Sequence, residues 1–504
     1  MRYLPNGKQM SEADAHTIHE IGIPSLVLME RAALQIVETM HKKNISTEKS
    51  LIVCGSGNNG GDGFAVARLL TEQGKHADVL FAGKEASLSE ECRCQKQIVE
   101  NMGISVFTEF PDEEYTVIID AVFGVGLCRE ITGHYKDVID WMNLQDAEKV
   151  AVDIPSGICA ATGKILGTAF RSDLTVCMAC VKLGCELFPG KSYAGESIPV
   201  AIGIDPNYFS NRLDVCYTFD KNELGKLLPA RMMHSHKGSY GKVLMITGSP
   251  GMAGAAFLSA CAAYTVGAGL VQIYTASENR LALQELLPEA IISCYSYDDS
   301  QLSHLLDWAD VVCIGCGLGM GQISEKILKN VLKNVSCPCV IDADGLNLLN
   351  GKIELLNQCR APVILTPHMK EMSRLTGWSI DKIMEDRFHA LDQIIKQSGP
   401  DTKSSIICVL KDSRTVVAQT NRQKFVNLAG NNSMAKGGSG DVLAGTIAGL
   451  LAQHMAPYEA AAVGVFLHAC GGDEAKKSKG SYSVLARDLI QGMADAMKNA
   501  KECR

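Results

Sequence analysis

Short runs of apolar, often β-branched residues recur along the chain, separated by stretches in which apolar positions return every three or four residues. The first set lies at Leu51–Cys54, Ala77–Phe81, Val117–Ile119, Val150–Val152 and Leu174–Met178. Strands that are apolar on both faces and alternate with helices predict a parallel sheet covered on both sides. Ahead of them, Ser11 with Asp14 three residues on reads as a capping box, with apolar spacing to Ile21. Gly22 and Pro24 break that helix before a second one, about Ser25–His41. A polar stretch, Pro206–Ala230, shows little periodicity. The pattern then restarts at Val243–Ile246, Leu270–Tyr274, Val311–Ile314, Cys339–Ile341, Val363–Leu365 and Ile406–Leu410. A chain of 504 residues exceeds a single hydrophobic core. Two α/β domains of unequal size are therefore expected, meeting near residue 220, with no motif repeated at a fixed period.

Composition narrows the function classes. The 48 Lys and Arg against 56 Asp and Glu leave a net charge of −8, which disfavours nucleic acid or an anionic membrane surface as the main partner. No apolar run approaches the ~18–20 residues of a membrane span, and the N-terminus lacks a basic start followed by an apolar core, so the cytoplasm is expected. The 19 cysteines are odd in number, and many, such as Cys54, Cys313 and Cys408, sit inside apolar strands as small core residues. The pairs Cys177/Cys180 and Cys313/Cys316 lack the second pair that a zinc site requires.

Candidate chemistry gathers at the strand ends, where open parallel sheets bind ligands. Gly55-Ser56-Gly57-Asn58-Asn59-Gly60-Gly61-Asp62-Gly63 follows the first strand and opens a helix, Phe64–Leu70. Such a turn offers backbone N–H groups to an anion. It fits the dinucleotide fingerprint, yet the next strand ends without the acid that would bind a ribose, and no Lys-Ser/Thr follows as in a Walker loop. Two further strand ends carry Asp120 before Gly124-Val125-Gly126-Leu127 and Asp153 before Ile154-Pro155-Ser156-Gly157. The three point to one shared pocket.

The second half is richer. Its strand ends lead to Gly248–Gly254, Gly315–Gly319, Asp342-Ala343-Asp344, Thr366-Pro367-His368 with Glu371, and Lys411-Asp412-Ser413-Arg414-Thr415. Last comes Lys436-Gly437-Gly438-Ser439-Gly440-Asp441, running into a helix, Val442–Leu451. These glycines let consecutive N–H groups face one point at a positive helix end, a seat for a phosphoryl group. Asp441 stands where a carboxylate can take a proton from an attacking hydroxyl. This chemistry alone leaves a kinase and a dehydratase equally open.

The motifs HKGxxG at His236–Gly241, GxGLG at Gly315–Gly319, DADGLN at Asp342–Asn347, TPHxxE at Thr366–Glu371 and AKGGSGDVLAG at Ala435–Gly445 resemble the ribokinase-like ADP- or ATP-dependent NAD(P)H-hydrate dehydratases. LME at Leu28–Glu30, GxGNNGGDG at Gly55–Gly63, the run from Asp120, and DIPSG at Asp153–Gly157 resemble NAD(P)H-hydrate epimerases. Nearly the whole chain is covered, in the order of fused bifunctional repair enzymes. The resemblance implies a Rossmann-like three-layer sandwich over 1–218 as epimerase and a ribokinase-like three-layer sandwich over 219–504 as ADP-dependent dehydratase. The substrates implied are the hydrates of NADH and NADPH, with ADP as co-substrate, magnesium accompanying it, and a homo-oligomeric state. Contacts to the hydrate would come from Asn58, Asn59, Gly60, Gly61, Asp62, Gly124, Val125, Gly126, Leu127, Cys128, Arg129, Glu130 and Asp153 in the epimerase. In the dehydratase they would come from Ala255, Gly317, His368 and Asp441. Asn59, Asp120 and Ser156 would hold a potassium ion; Lys411, Asp412, Ser413, Arg414, Thr415 and Gly440 would contact the nucleotide. Asp441 and Asp153 are the implied catalytic groups. Cys316 stands in place of a usual proline, Asp412 and Arg414 in place of small residues, and Val125 in place of a frequent threonine. The alternatives are a ribokinase-like small-molecule kinase with a ligand-binding N-terminal domain, or a nucleotide sensor.

Overall fold

The apolar runs form strands in the computed structural model, which describes residues 1–295, 299–396 and 405–502. The chain divides into two units, Arg2–Cys216 and Tyr217–Arg504. In the first, strands β1 (Lys49–Cys54), β2 (His76–Phe81), β3 (Val106–Phe107), β4 (Val117–Ala121), β5 (Glu148–Val152), β6 (Leu174–Met178) and β7 (Glu196–Val200) lie in the order β3-β2-β1-β4-β5-β6-β7. All neighbours are parallel, with Ile52 of β1 opposite Val79 and Ile119. Because side chains alternate, Ile52 and Cys54 enter one buried core with helices Ser25–Lys42 and Asn58–Glu72. Leu51 and Val53 enter another with helix His134–Leu144. Helices on both faces of a parallel sheet give three layers. Strand order reverses between β1 and β4, so their carboxyl ends border a crevice.

The start of the chain differs from the pattern-based expectation. The first helix is Gly7–His16, and its capping box is Asn6 with Gln9: the Asn6 side chain accepts from Gln9 N at 3.0 Å, and Gln9 Oε1 from Asn6 N at 2.9 Å. Ser11 instead donates to Gly7 O at 3.0 Å within the helix. Asn6 has the extended backbone that a cap needs; Ser11 is already helical. Thr17–Ile21 widens into a π-helical turn closed by Gly22 at φ 88°. Strand β7 also escaped the pattern, because an edge strand needs less apolar sequence and tolerates Pro199.

The second unit contains β8 (Lys242–Ile246), β9 (Leu270–Thr275), β10 (Ile291–Cys294), β11 (Val311–Ile314), β12 (Cys339–Ile341), β13 (Val363–Leu365), β14 (Ile406–Leu410), β15 (Val416–Gln419) and β16 (Phe425–Val426). Their order is β16-β15-β14-β13-β12-β11-β8-β9-β10, parallel from β14 to β10 and antiparallel from β14 to β16. The polar stretch after Pro206 is not structureless: Cys216–Thr218 is a strand, and its Tyr217 pairs with Phe425. Among the described residues no helix is long and apolar enough to cross a membrane.

Helix Ser439–Ala452 is buried along almost its whole length and packs against helix Ala253–Thr265. The contact works only with glycine. A Cβ on Gly445 would lie 1.9 Å from Ser259 O, and one on Gly449 2.6 Å from Ala263 O. Gly445→Ala is therefore expected to destabilise this unit by about 1–3 kcal/mol, the usual cost of overpacking. Chemical denaturation followed by tryptophan fluorescence or circular dichroism checks it, and an unchanged midpoint would show that the helices can separate freely.

Candidate active sites

The crevice beside β1 and β4 gathers the first constellation. Gly55 and Gly60 are close-approach residues, since a Cβ would lie 2.0 Å from Val122 O or from Gly55 O. A Cβ on Gly61 would meet the Met29 side chain at 2.5 Å. Above this turn lies a cavity of 170 Å³, bordered by Asp14, Asn58, Asn59, Asp62, Asp153 and Lys182 among others. An open groove of 750 Å³ adjoins it, running past Ser56–Asn59 and Val122–Arg129. Asn58, Asn59, Gly124 and Val125 border both spaces; Asp62 and Asp153 border the cavity; Gly126, Leu127, Cys128 and Arg129 border the groove. Gly60, Gly61 and Glu130 border neither: the glycines are buried in packing and Glu130 is exposed.

Asp153 has a left-handed backbone, φ 67°, which side chains rarely adopt. Its surroundings fix it there. Asp153 N donates to Val176 O at 2.8 Å, while its Oδ1 accepts from Met178 N at 2.8 Å and from Lys182 Nζ. Lys182 is fully buried and donates also to Met178 O at 2.9 Å. The same cavity holds further carboxyl groups. Burial and then the Asp153 charge raise Asp14 to about 6, against the pull of Lys182. Burial, with Asp153 and Asp14, pushes Asp62 well above the carboxylate range. One ammonium cannot balance them all, so the cavity retains protons near neutrality.

Asp120 lies fully buried at the end of β4. Its carboxylate accepts from Ser156 N and Ser156 Oγ, both at 2.7 Å, and from Val122 N at 3.2 Å. Ser156 Oγ also accepts from Phe123 N at 2.8 Å, and Asn59 packs against Gly124, so the three residues meet at the 120–124 loop. Burial raises Asp120 to about 6 despite these donors. Among the described residues no lysine, arginine or histidine pairs with Asp120, and Asn59 Nδ2 is buried without a hydrogen-bond partner. A buried carboxylate lacking a counter-charge, beside a hydroxyl and an amide, suits an alkali cation.

In the second unit the chain enters helix Ser439–Ala452 through Gly438, left-handed at φ 92°, which places Asp441 in the first turn. Next to it is Asp342, almost fully buried: its Oδ1 accepts from Thr366 Oγ1 and Lys411 Nζ, both at 2.6 Å. Cys316 Sγ donates to Asp342 Oδ2 at 3.7 Å. Burial, then the charge on Asp342, raises Asp441 to about 7, opposed by Cys316 and Lys411. Gly440 leaves room for Lys411, whose Nζ would be 3.3 Å from a Cβ there. Ala343, at φ 47°, turns the chain so that Asp342 meets Lys411 while Asp344 Oδ2 accepts from Gly319 N at 2.8 Å.

His368 Nδ1 accepts from Lys370 N at 3.1 Å and Glu371 N at 3.2 Å, so its ring proton belongs on Nε2, 3.3 Å from Glu371 Oε1. Glu371 Oε2 accepts from His368 N at 2.9 Å and lies 4.0 Å from Lys411 Nζ. Burial raises Glu371 to about 7 and lowers His368, with Lys411 adding to the latter shift. Ala255 and Gly317 touch, since a Cβ on Gly317 would lie 2.9 Å from Ala255 Cβ. Beyond Lys411, Asp412 faces Arg387 at 3.6 Å and Thr415 Oγ1 donates to Asp412 O at 3.0 Å; Ser413 is exposed and Arg414 half-buried. Sequence reasoning missed Asp14 and Lys182 as site residues. A lysine just beyond a wholly apolar strand was the signal for Lys182; nothing in the local pattern marked Asp14.

A model of the NAD(P)H-hydrate dehydratase family matches residues 243–494, and one described as YjeF-related protein N-terminus matches 25–184. The chain is 35% identical over 528 aligned residues to a bifunctional NAD(P)H-hydrate repair enzyme of Moorella thermoacetica, covering 99% of this chain and 97% of that one. It is 34% identical over 473 residues to the Escherichia coli enzyme of the same name, covering 93% and 89%. Among solved structures, it is similar to a ribokinase-like superfamily protein from Enterococcus faecalis, with TM-score 0.50 and 32% identity, covering 56% of this chain and 96% of that one.

The buried Asp153–Lys182 pair carries a stability prediction. Lys182→Met leaves the carboxylate without its cation and is expected to cost about 3–5 kcal/mol at neutral pH. Urea denaturation at pH 8 tests this; a midpoint equal to that of the wild type would refute it.

Proposed function

We propose, from the premise that the chain belongs to the family of bifunctional NAD(P)H-hydrate repair enzymes, that it restores hydrated nicotinamide cofactors in two steps. Residues 1–218 interconvert the R and S hydrates of NADH and NADPH. Residues 219–504 dehydrate the S form, with ADP converted to AMP and phosphate. The observation that carries this reading is Asp441: a carboxyl group in the first turn of a buried helix, beside the Asp342–Lys411 pair, with its pKa raised to about 7.

In the dehydratase, Asp441 takes the proton of the ring hydroxyl as that oxygen attacks the terminal phosphorus of ADP. AMP leaves; phosphate then departs from the ring carbon, the neighbouring carbon gives up a proton to solvent, and the double bond re-forms between the two carbons. The helix start at Gly440–Asp441 supplies N–H groups without intrahelical acceptors to the phosphoryl charge. Lys411 holds Asp342 and borders Gly440; with Asp412–Thr415 it forms the nucleotide side of the site. His368, neutral and half-exposed, with Ala255 and Gly317, forms the hydrate side. Magnesium is the expected counter-ion of ADP.

In the epimerase, Asp153 is the acid–base group, and the groove from Asn58 to Arg129 holds the cofactor. Asn59, Asp120 and Ser156 would hold potassium, which supplies a fixed positive charge to the buried Asp120 and to a substrate oxygen. The kinase alternative shares Asp441 and the helix start, and differs in releasing a phosphorylated product. Recovery of reduced-nicotinamide absorbance together with free phosphate distinguishes repair from phosphorylation.

Asp441→Asn is expected to lower dehydration by about 10²–10⁴-fold, the range for a lost general base, while epimer exchange continues. Because the base acts ionised, wild-type dehydration should decline as pH falls below about 7. Nucleotide-dependent recovery of NADH by the variant at wild-type rate would remove Asp441 from this role.

A further inference from the structure

The epimerase cavity contains one carboxyl group that no motif marks. Asp14 stands on helix Gly7–His16, ahead of the 25–184 segment that the family model matches. Among the described residues it alone of the titratable side chains borders both the cavity and the adjoining groove. Asp62, Asp153 and Lys182 face only the cavity; Lys84, Cys128, Arg129 and Tyr135 face only the groove. Asp153 is tied to Met178 N and Lys182 Nζ, whereas the half-buried Asp14 carboxyl has no hydrogen bond or ion pair among the described residues. It is thus unengaged at the mouth where a cofactor lying in the groove must insert its ring.

The chemistry requires a proton at that point. Hydration of an enamine places the hydroxyl on the carbon beside nitrogen, and the two epimers differ at that carbon. Inversion must break a bond there, and the C–O bond is the one that the nitrogen lone pair helps to break. We infer that Asp14 is the proton donor of epimerisation, working across the cavity from Asp153. The Asp14 proton passes to the hydroxyl oxygen, the C–O bond breaks, the nitrogen lone pair forms C=N⁺, and water is released. Water then adds to the opposite face, forming the new C–O bond and passing its proton to Asp153. The reverse direction exchanges the two roles, and solvent protons reset the pair between turnovers.

This inference rests on the epimerase reading and extends it to a residue outside the family motifs. The ionisation of Asp14 suits a proton donor, because burial and Asp153 raise it to about 6 and an appreciable protonated fraction persists close to neutrality. Burial, with the charges of Asp153 and Asp14, raises Asp62 as well, but Asp62 faces only the cavity.

The decisive experiment uses the full chain, the R hydrate of NADH and ¹⁸O-labelled water, without nucleotide, following R-to-S exchange by chromatography and mass spectrometry. Wild type is expected to exchange epimers, to incorporate solvent oxygen as it does so, and to slow on the alkaline side of about pH 6. Asp14→Asn should bind the hydrate, exchange it about 10²-fold or more slowly, and lose the alkaline limb. Asp14→Glu should recover part of both rate and limb, which separates a proton donor from a packing residue. Asparagine at wild-type rate with the limb intact, or glutamate no better than asparagine, overturns the role of Asp14. Inversion without solvent oxygen overturns the C–O route. Absence of exchange in wild type would instead sink the epimerase reading itself.

Discussion

The cost of burying carboxylates with too few cations governs both halves of this chain. Each unit commits one lysine to one aspartate: the fully buried Lys182 to Asp153 in the first, the partly exposed Lys411 to Asp342 in the second. The remaining acids cannot all ionise in such surroundings, and desolvation leads the causes that raise Asp14 to about 6 and Asp441 to about 7. Two different sheets thus reach the same solution. A fixed ion pair sets the local field, and a neighbouring acid is left poised to exchange protons.

That arrangement depends on the scaffold. Parallel strands deliver Asp120 and Asp153, or Asp342 and Lys411, to the carboxyl edge of their sheet, in the first unit next to where strand order reverses. Glycine then sets the depth. Gly60 and Gly445 admit backbone approaches that any side chain would block, bringing a helix start against the strand ends in one unit and the Asp441 helix against its neighbour in the other. Removing either would move an acid relative to its partner before it altered any chemistry.

Much of this was legible from the sequence, for physical reasons. Strands buried on both faces are apolar without interruption, so β1, β4, β5, β6, β8, β11 and β14 stood out; edge strands such as β7 and β10 carry less of that signal. Loop chemistry was legible where glycines cluster with acids, as at Asn58–Asp62 and Gly437–Asp441. Local pattern could not separate glycines that border a ligand space from those that allow packing, so Gly60 and Gly61 looked like contacts. Nor could it reveal Asp14, an ordinary polar position on a helix, because its environment comes from β5 and the loop after β6, distant in sequence.

The left-handed backbones of Asp153 and Ala343 have an evolutionary consequence. Each is a non-glycine residue held in a conformation that costs of order 1–3 kcal/mol, immediately beside an ion pair. Selection for thermal hardiness alone would favour glycine at both positions, relaxing the chain where it turns into the site. At Ala343 that exchange would cost only rigidity, but at Asp153 it would delete the carboxylate itself. The two positions should therefore drift differently when such proteins adapt to heat: the first free to trade stiffness for stability, the second not.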